Sequence, residues 1–398
     1  MNWCRANILL LFLLCPALLY GQNRLYAQKW VDTLSSSTFS GRGYVADGQQ
    51  LAAEAIAREF NRLGLESIGT DYRQWFSLEV NTFPDTVGLR LNGRLLTPGI
   101  HYLVHPQSRA GSGQKARPGK EVEVHAQSQA APRLAAGPTK PVLIETTSNP
   151  LIWAVGRDVQ PQLRFLVQDS VLPVKLKRVD YIVNSQFKEQ RQANVVGLLR
   201  GSSRPDSFVV ICAHYDHLGQ MGTQTTFPGA HDNASGTAML LDLARHFSQP
   251  QNRPAYSLLF IAFGAEEAGL VGSSYFVEED PLVPLSSIRF VINLDLMGGG
   301  SEGITVVNAT GHREAYQYLV DRNASTYQLA KVVARENTRN SDHYPFSRRK
   351  VPAFFIYTLG DVTAYHNVFD VAEALPFSHY EAIFGLIADF ATYLQGRE

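Results

Sequence analysis

The strongest constraint on the fold lies in the second half of the chain, where apolar runs alternate with helical patterns such as SGTAMLLDLARHF and REAYQYLVDRNAS. Continuous apolar strands separated by helices indicate a sheet that is buried on both faces and mostly parallel. From residue 194 onward, the apolar runs are NVVGLL, FVVICA, SLLFIAF, FVINLDL, ITVVN and AFFIYT. We therefore expect an α/β three-layer sandwich, in which a mostly parallel, mixed central sheet is flanked by helices.

The N-terminus has the pattern of a secretory signal peptide, which we place at residues 1–21. Arg5 supplies the positive charge, and the apolar stretch ILLLFLLCPALLY that begins at Ile8 is too short to span a bilayer comfortably. The bulky leucine before Cys15 and the proline after it disfavour lipidation of that cysteine. We therefore expect an exported protein, periplasmic or extracellular, without a stable membrane span.

The remaining residues predict a catalytic domain interrupted by an insertion. We assign residues 29–83 and 189–398 to the catalytic domain, and residues 84–188 to a small β-rich insertion. The insertion contains Asn92-Gly93, a dipeptide typical of a type I′ hairpin turn. Because it contains no cluster of catalytic residue types, two roles stay open for it: a lid or packing module, or substrate recognition.

The charge balance argues against nucleic acid and anionic membranes as partners, and the cysteine content argues against an internal disulfide. The chain has 36 basic and 36 acidic residues, and this balance gives no electrostatic footprint for nucleic acid or anionic membranes. Without the signal segment, Cys212 is the one cysteine left, so no internal disulfide is expected. Its apolar surroundings in FVVICA indicate a buried, inert thiol.

Side chains that bind metals follow the ends of the apolar runs. In open α/β sheets, ligands gather outside the carboxyl ends of the strands. Two imidazoles and three carboxylates form a hard-to-borderline ligand set that suits a pair of zinc ions. The candidate ligands, in chain order, are His214, Asp232, Glu267, Asp295 and His366.

Two further acidic residues stand close to these ligands. Adjacent carboxylates at a buried strand end repel each other unless cations compensate them. Metal ligation of Glu267, with Glu266 kept free as a general base, resolves that conflict. Asp216 lies two residues after His214 and is placed to hydrogen-bond the second nitrogen of that imidazole.

Each of these motifs also has a structural interpretation when it is taken alone. Asp232 can cap the helix that follows it, and an HxD pair can be a satisfied surface pair. His217 and His231 are alternative ligands, but the first lies farther from the strand end and nothing supports the second over Asp232. The joint occurrence of all five ligand types beside strand ends favours the metal site.

The segments HYDHLG, GAHDNASG, GAEEAGLVGS, NLDLMG, SDHYPF and YHNVFD resemble the motifs of the secreted di-zinc aminopeptidase family, which includes glutamate carboxypeptidase-like and glutaminyl cyclase-like enzymes. The resemblance covers residues 194–395 closely and residues 30–80 loosely, and it does not cover 84–188. It implies two zinc ions bridged by one carboxylate. The implied ligands are His214 and Asp295 at one ion, Glu267 and His366 at the other, and Asp232 at both.

The resemblance also implies roles around the metals. Glu266 would act as general base and then as general acid, and Asp216 would orient His214. Asp342 and His343, in SDHYPF, match a loop that lies near the substrate in relatives. The chain departs from the family pattern at His231, where aminopeptidases often have Asn or a small residue before the bridging Asp.

The predicted activity is removal of the N-terminal residue of a peptide by metal-assisted hydrolysis. The complete ligand set, with both histidines, favours two metals and hydrolysis over a one-zinc glutaminyl cyclase. A carboxypeptidase or amidohydrolase activity on the same fold is an open alternative. A catalytically inactive binding module is an alternative of a different class, in which ligands are typically lost.

Overall fold

A computed structural model describes residues 23–127 and 140–396 of the chain. The predicted signal segment, residues 1–21, lies outside the described residues. None of the described helices is both long enough and apolar enough to cross a membrane. The described α-helices are α1 Arg24–Leu34, α2 Gly48–Arg62, α3 Gly236–Phe247, α4 Val271–Glu278, α5 Arg313–Arg322, α6 His343–Arg348 and α7 Tyr380–Tyr393.

The described strands fall into one large sheet and three smaller ones. The first ten strands are β1 Glu66–Ser67, β2 Arg73–Thr82, β3 Val87–Leu91, β4 Arg94–Leu95, β5 Tyr102–Val104, β6 Gly111–Ala116, β7 Val122–Ala126, β8 Val142–Thr147, β9 Leu163–Gln168 and β10 Val179–Val183. The others are β11 Gln186–Leu199, β12 Arg204–His214, β13 Gly219–Gln220, β14 Thr226–Phe227, β15 Tyr256–Phe263, β16 Ile288–Leu294, β17 Gly303–Val307, β18 Val332–Arg335 and β19 Ala353–Leu359.

The large sheet has nine strands in the order β1-β11-β15-β12-β16-β19-β17-β18, and β2 pairs with β11. Its four central strands, β15, β12, β16 and β19, run parallel to one another. Antiparallel pairs flank this parallel centre, β11 with β15 on one side and β17 with β19 on the other. The predicted α/β architecture with a mixed central sheet is confirmed.

Both faces of the central sheet are buried, which explains why its strands are apolar without alternation. In β12, Val209 and Ile211 belong to the apolar core on the side of α1, α2, α3 and α7. Val210 and Cys212 belong to the core on the other side, which includes residues of α4 and α6. The prediction of a buried Cys212 is confirmed, and burial raises the pKa of its thiol well above the usual value.

Two four-stranded sheets occupy the segment between β2 and β11. Their strand orders are β4-β3-β10-β6 and β5-β9-β8-β7. Both central residues of the Asn92-Gly93 turn have positive φ, 52° and 90°, as a type I′ turn requires, so this turn prediction is confirmed. The apolar core of these sheets extends to Leu218, Met221 and Phe227, on and beside the β13–β14 hairpin. The segment therefore packs against a part of the chain that lies between two predicted metal ligands.

A half-buried histidine in this segment, His105, predicts a loss of stability in acid. Burial, together with the nearby Arg164, lowers the pKa of His105 to about 4. Since the folded state holds this imidazole neutral, stability is full above the ordinary histidine pKa and is lost as the pH falls from about 6.5 towards 4. A His105→Gln substitution is expected to remove this contribution, at most about 3 kcal/mol, from the pH dependence of the unfolding free energy.

Denaturant unfolding of the metal-free protein at several pH values between 4.5 and 7.5 measures this effect. His379→Gln is the matched control, because His379 is exposed and should leave the pH dependence as it is in the wild type. Equal pH dependence in the wild type and the His105 variant would contradict the prediction.

Candidate metal centre

The first predicted ligand ends a central strand. His214 is the last residue of β12 and is 1% exposed. Its Nδ1 lies 3.2 Å from the backbone carbonyl oxygen of Asp216. An Nδ1–H that donates to this carbonyl leaves the Nε2 lone pair free for a metal ion.

The carboxylate of Asp216 does not hydrogen-bond to His214, although the sequence pattern predicts that it should. It lies 3.8 Å from His214 Nδ1, beyond hydrogen-bond distance. Instead, it accepts hydrogen bonds from the backbone N–H groups of Glu266 (3.0 Å) and Glu267 (3.2 Å). The chain turns after β12, so the carboxylate reaches the end of the neighbouring β15. Asp216 therefore fixes the backbone of the predicted base and of its ligand neighbour.

The five predicted ligands gather into two groups that share one carboxylate. His214 Nε2 lies 3.4 Å from Asp232 Oδ1 and 3.3 Å from Asp295 Oδ1. His366 Nε2 lies 3.0 Å from Asp232 Oδ2 and 3.1 Å from Glu267 Oε2. Each oxygen of Asp232 thus faces a different group, as a bridging carboxylate requires.

The spacing of the atoms around His214 fits a zinc ion, whereas the donor atoms around His366, at 3.0 and 3.1 Å, are more closely spaced. Ligands about 2.0–2.2 Å from a tetrahedral zinc lie about 3.3–3.6 Å from one another. The 3.4 Å and 3.3 Å distances from His214 Nε2 match this spacing. Among the described residues, Asp295 Oδ1 is buried and has no hydrogen-bond partner, whereas its Oδ2 accepts from Ser341 Oγ at 2.9 Å. A buried, unpartnered carboxylate oxygen is costly unless a cation binds it.

The loop that carries Asp232 is held by a second carboxylate. Asp370 accepts hydrogen bonds from the backbone N–H groups of His231 (2.7 Å) and Asp232 (3.0 Å). The ring of His231 turns towards Gly298, whose N–H donates to His231 Nδ1 at 3.2 Å. Burial lowers the pKa of His231 to about 4. The departure from the family pattern at this position therefore leaves the two ligand groups complete.

A fully buried arginine joins the loops of the site, and the sequence motifs do not reveal it. Arg42 is 0% exposed and lies just after Gly41, where a Cβ atom would stand 2.4 Å from the carbonyl oxygen of Phe227. Its guanidinium donates only to backbone carbonyls. The acceptors are Tyr215 (2.8 Å), Leu34 (2.9 Å), Pro228 (2.7 Å), Gly229 (2.6 Å) and, more weakly, Asp232 (3.5 Å).

The charge of Arg42 is retained in this environment. Burial lowers its pKa to about 10, and the nearby carboxylates of Asp370 and Asp232 oppose that effect. The residue is therefore a fixed cation at neutral pH beside the ligand loops. The one sequence sign of this conformation is the pair of glycines that flank Arg42 in FSGRGYVADG, since Ser40, Gly41 and Arg42 all have positive φ (46°, 67° and 49°).

The segment of residues 84–188 also contacts a predicted metal ligand. The carbonyl oxygen of Trp153 lies 3.1 Å from His366 Nδ1, and the N–H of Trp153 donates to the carbonyl of His366 at 2.9 Å. Trp153 stacks on Phe227 with ring centroids 4.7 Å apart, and its indole N–H donates to the carbonyl of Val104 at 2.7 Å. A backbone atom of residues 84–188 therefore orients the imidazole of a predicted ligand from the second half of the chain.

The surroundings of the adjacent residues Glu266 and Glu267 shift the pKa values of the two carboxyl groups in opposite directions. Burial would raise the pKa of Glu267, but His366 and His217 outweigh it and hold that pKa well below the usual range. His217 Nδ1 lies 2.7 Å from Glu267 Oε1, so this histidine, set aside as a ligand, contacts the ligand Glu267. Burial and the carboxylates of Asp342 and Glu267 raise the pKa of Glu266 well above its usual range, while His214 opposes them. Environments that separate two carboxyl groups in this way are typical of neighbouring carboxyl groups with different roles.

The site opens into a cavity of about 230 Å³. The residues around it are His214, Asp232, Glu266, Asp295, Leu296, Arg335, Asn340, Phe355, Tyr357, Tyr365 and His366. Asp342 and His343, predicted to lie near the substrate, are both 0% exposed and are not among these residues. Asn340 is the residue of that loop that reaches the cavity, because the helix α6 begins at His343 and turns inward. Arg335, Tyr357 and Tyr365 are cavity residues that the motifs do not predict.

Comparison with known proteins agrees with this geometry. The model of peptidase family M28 matches residues 194–391. Aminopeptidase YwaD of Bacillus subtilis (strain 168) is 33% identical over 165 residues, which are 40% of this chain and 34% of that protein. A glutamate carboxypeptidase 2 homolog of Caenorhabditis elegans is 36% identical over 121 residues, 29% of this chain and 15% of that protein.

A solved structure extends the likeness over the whole fold. BSAP, a zinc aminopeptidase from Bacillus subtilis, superimposes with a TM-score of 0.68 at 18% identity, covering 94% of this chain and 95% of that one. The sequence alignments span about a third or less of the lengths of the two relatives, 34% and 15%. The matched segment contains both ligand groups and Glu266. Residues 194–391 of this chain therefore belong to peptidase family M28.

Proposed function

We propose that the protein is a zinc-dependent exopeptidase, specifically an aminopeptidase with two zinc ions. The observation that carries this proposal is the position of Asp232, whose two oxygens face two separate donor groups, 3.4 Å from His214 Nε2 and 3.0 Å from His366 Nε2. The names of two of the relatives, an aminopeptidase and a zinc aminopeptidase, support the same activity.

The zinc ions, when bound, would polarise the scissile carbonyl and lower the pKa of a water molecule towards about 7. His214 and Asp295 would hold one ion, and Glu267 and His366 the other. Asp232 would contact both. His217 and the Trp153 carbonyl would keep the second pair in place, since they bond Glu267 and His366 on the sides that face away from the ion.

Glu266 would carry the proton of the reaction. Its carboxylate accepts a proton from water as the water oxygen bonds to the carbonyl carbon. The same carboxyl group then gives the proton to the leaving nitrogen as the C–N bond breaks. The backbone of Glu266 is fixed by Asp216, whereas no described residue hydrogen-bonds to its side chain, which leaves the carboxylate free to face the substrate.

Metal analysis combined with hydrolysis assays tests this proposal. We expect about two zinc ions per chain, hydrolysis of aminoacyl-p-nitroanilides, and loss of that activity to background after chelation, with recovery on zinc addition. N-acetylated versions of the same substrates are the control and should not be hydrolysed.

Other results would point to the alternatives. One zinc with release of ammonia from N-terminal glutamine would indicate a cyclase. Hydrolysis of the N-acetylated p-nitroanilides would indicate an amidohydrolase, and release of the C-terminal residue from an N-acetylated dipeptide would indicate a carboxypeptidase. Bound zinc without any hydrolysis would indicate a binding module.

We also propose that the protein is exported, with residues 1–21 removed. This rests on the N-terminal pattern of Arg5 and the apolar stretch that follows it. N-terminal sequencing of the mature protein after expression in a Gram-negative host tests it, and an intact Met1 in the soluble fraction would contradict it.

A further inference from the structure

We propose that the cavity selects its substrates by a carboxylate group, which binds at a rim site formed by Arg335, Asn340 and Tyr357. The inference rests on the proposed peptidase function and adds a substrate class to it. All three residues line the same cavity of about 230 Å³ as His214 and Glu266. A substrate at the metal ligands therefore lies in the same enclosure as the rim site.

The end of the central sheet builds the rim site. Arg335 is the last residue of β18, the edge strand, and Tyr357 lies on β19. β17 runs between these two strands and pairs with both. Arg335 crosses β17, and its Nη1 donates a hydrogen bond to Tyr357 Oη at 2.9 Å. This bond fixes one corner of the guanidinium at the mouth of the cavity.

The guanidinium at the rim is not neutralised by the protein. Arg335 is exposed, and none of the described carboxylates lies within ion-pair distance of it. Among the described residues around the cavity, it is the only arginine or lysine. Its planar fork of N–H donors matches the geometry of a carboxylate, and the Asn340 amide offers a further donor.

The cavity therefore has two ends of opposite character. The carboxylates of Asp232 and Asp295 are buried and that of Glu266 is half-buried, and all three suit the metal ions and a substrate amine, whereas Arg335 is exposed. The cationic rim repels a positively charged group and attracts a negative one. A substrate carboxylate can come from the side chain of the N-terminal residue, from the side chain of the second residue, or from the C-terminus of a dipeptide.

Matched substrate pairs distinguish these three sources. The pairs are glutamyl- against glutaminyl-p-nitroanilide, alanyl-glutamate amide against alanyl-glutamine amide, and alanyl-alanine against its C-terminal amide. For the zinc-loaded full chain, we expect a kcat/KM ratio of charged over uncharged substrate of about ten or more in at least one pair. Arg335→Gln should lower that ratio by about 10- to 100-fold, because the charged hydrogen bonds at the rim are lost.

Arg339→Gln is the matched control, since Arg339 is an exposed arginine of the same loop that does not line the cavity. It should keep the wild-type ratio, and Arg335→Lys, which retains the charge without the fork, should give an intermediate one. The pair whose ratio falls identifies the source of the carboxylate. Equal ratios in the wild type and Arg335→Gln, or an equal fall in Arg339→Gln, would overturn the inference.

The two proposals fail in different ways. Hydrolysis of the uncharged substrates without preference for the charged ones would overturn the rim site and leave the peptidase intact. If the wild type hydrolyses none of the six substrates, the peptidase proposal fails. Calorimetric titration of the zinc-loaded wild type and of Arg335→Gln, with glutamate and with glutamine, then tests the rim site. The inference requires that the wild type binds glutamate more tightly than glutamine and that Arg335→Gln does not.

Discussion

A Glu266→Gln substitution is expected to lower kcat by about 100- to 10,000-fold and to leave zinc binding intact. The amide keeps the size of the side chain but cannot accept the proton that the attacking water loses. Glu266 takes no part in either ligand group, and its backbone stays bonded to Asp216. Kinetics on an aminoacyl-p-nitroanilide, together with zinc content per chain, measure both parts of the expectation.

Glu279→Gln serves as the control for this change. Glu279 directly follows α4 and is exposed, so the same substitution there should leave kcat and zinc content at wild-type values. A Glu266→Gln protein with wild-type kcat would contradict the assignment of the base. A protein that lost its zinc would instead show that Glu266 is a ligand.

An Arg42→Met substitution is expected to lower the unfolding free energy by about 3–5 kcal/mol and to weaken zinc binding as well. Removal of the guanidinium takes a hydrogen-bond donor away from carbonyls of three chain segments, and it removes a positive charge beside Asp370 and Asp232. Two of those carbonyls, at Pro228 and Gly229, belong to the loop that carries the bridging Asp232. Thermal or denaturant unfolding of the metal-free protein measures the first effect. Competition with a chromophoric chelator measures the second.

Arg245→Met provides the comparison. Arg245 bonds the buried Asp242 on α3 (2.7 Å), and neither residue is part of the ligand loops. This variant should lose stability but retain the zinc affinity of the wild type. Arg42→Lys keeps the charge with fewer donors and covers the case in which the methionine variant does not fold. Unchanged zinc affinity in both Arg42 variants would contradict the role of Arg42 in positioning the site.

The central sheet and the proximity of the five candidate ligands were predictable because their signals are local. A strand that is buried on both faces must be apolar throughout, and the residue that follows it at the carboxyl edge must be polar to serve a site. His214 directly ends β12, and Glu266 follows β15 by three residues. The order of such residues along the chain was therefore enough to predict which side chains meet.

The contacts that hold the ligands were not predictable from local patterns. Arg42 bonds carbonyls up to 190 positions away, and a carbonyl is present at every residue, so no residue type marks the acceptors. The same holds for the Trp153 carbonyl, 213 positions from His366. The Asp216 carboxylate was assigned to His214 because the two are close in sequence. The turn after β12 carries it to the neighbouring strand end instead.

The hydrogen bonds between Trp153 and His366 link zinc binding to the local unfolding of this protein. A piece of the chain limited to residues 194–391 would keep every ligand, yet it would lack the carbonyl that orients His366 and the guanidinium of Arg42. The proposed zinc centre would thus be completed by three distant stretches of polypeptide, which must come together before the ligands reach their final geometry. In native-state hydrogen exchange, zinc should therefore slow the exchange of the Trp153 amide, whose N–H bonds the His366 carbonyl, together with the amides of His231 and Asp232. The inserted sheets and the ligand loops would then form a single cooperative unit of unfolding.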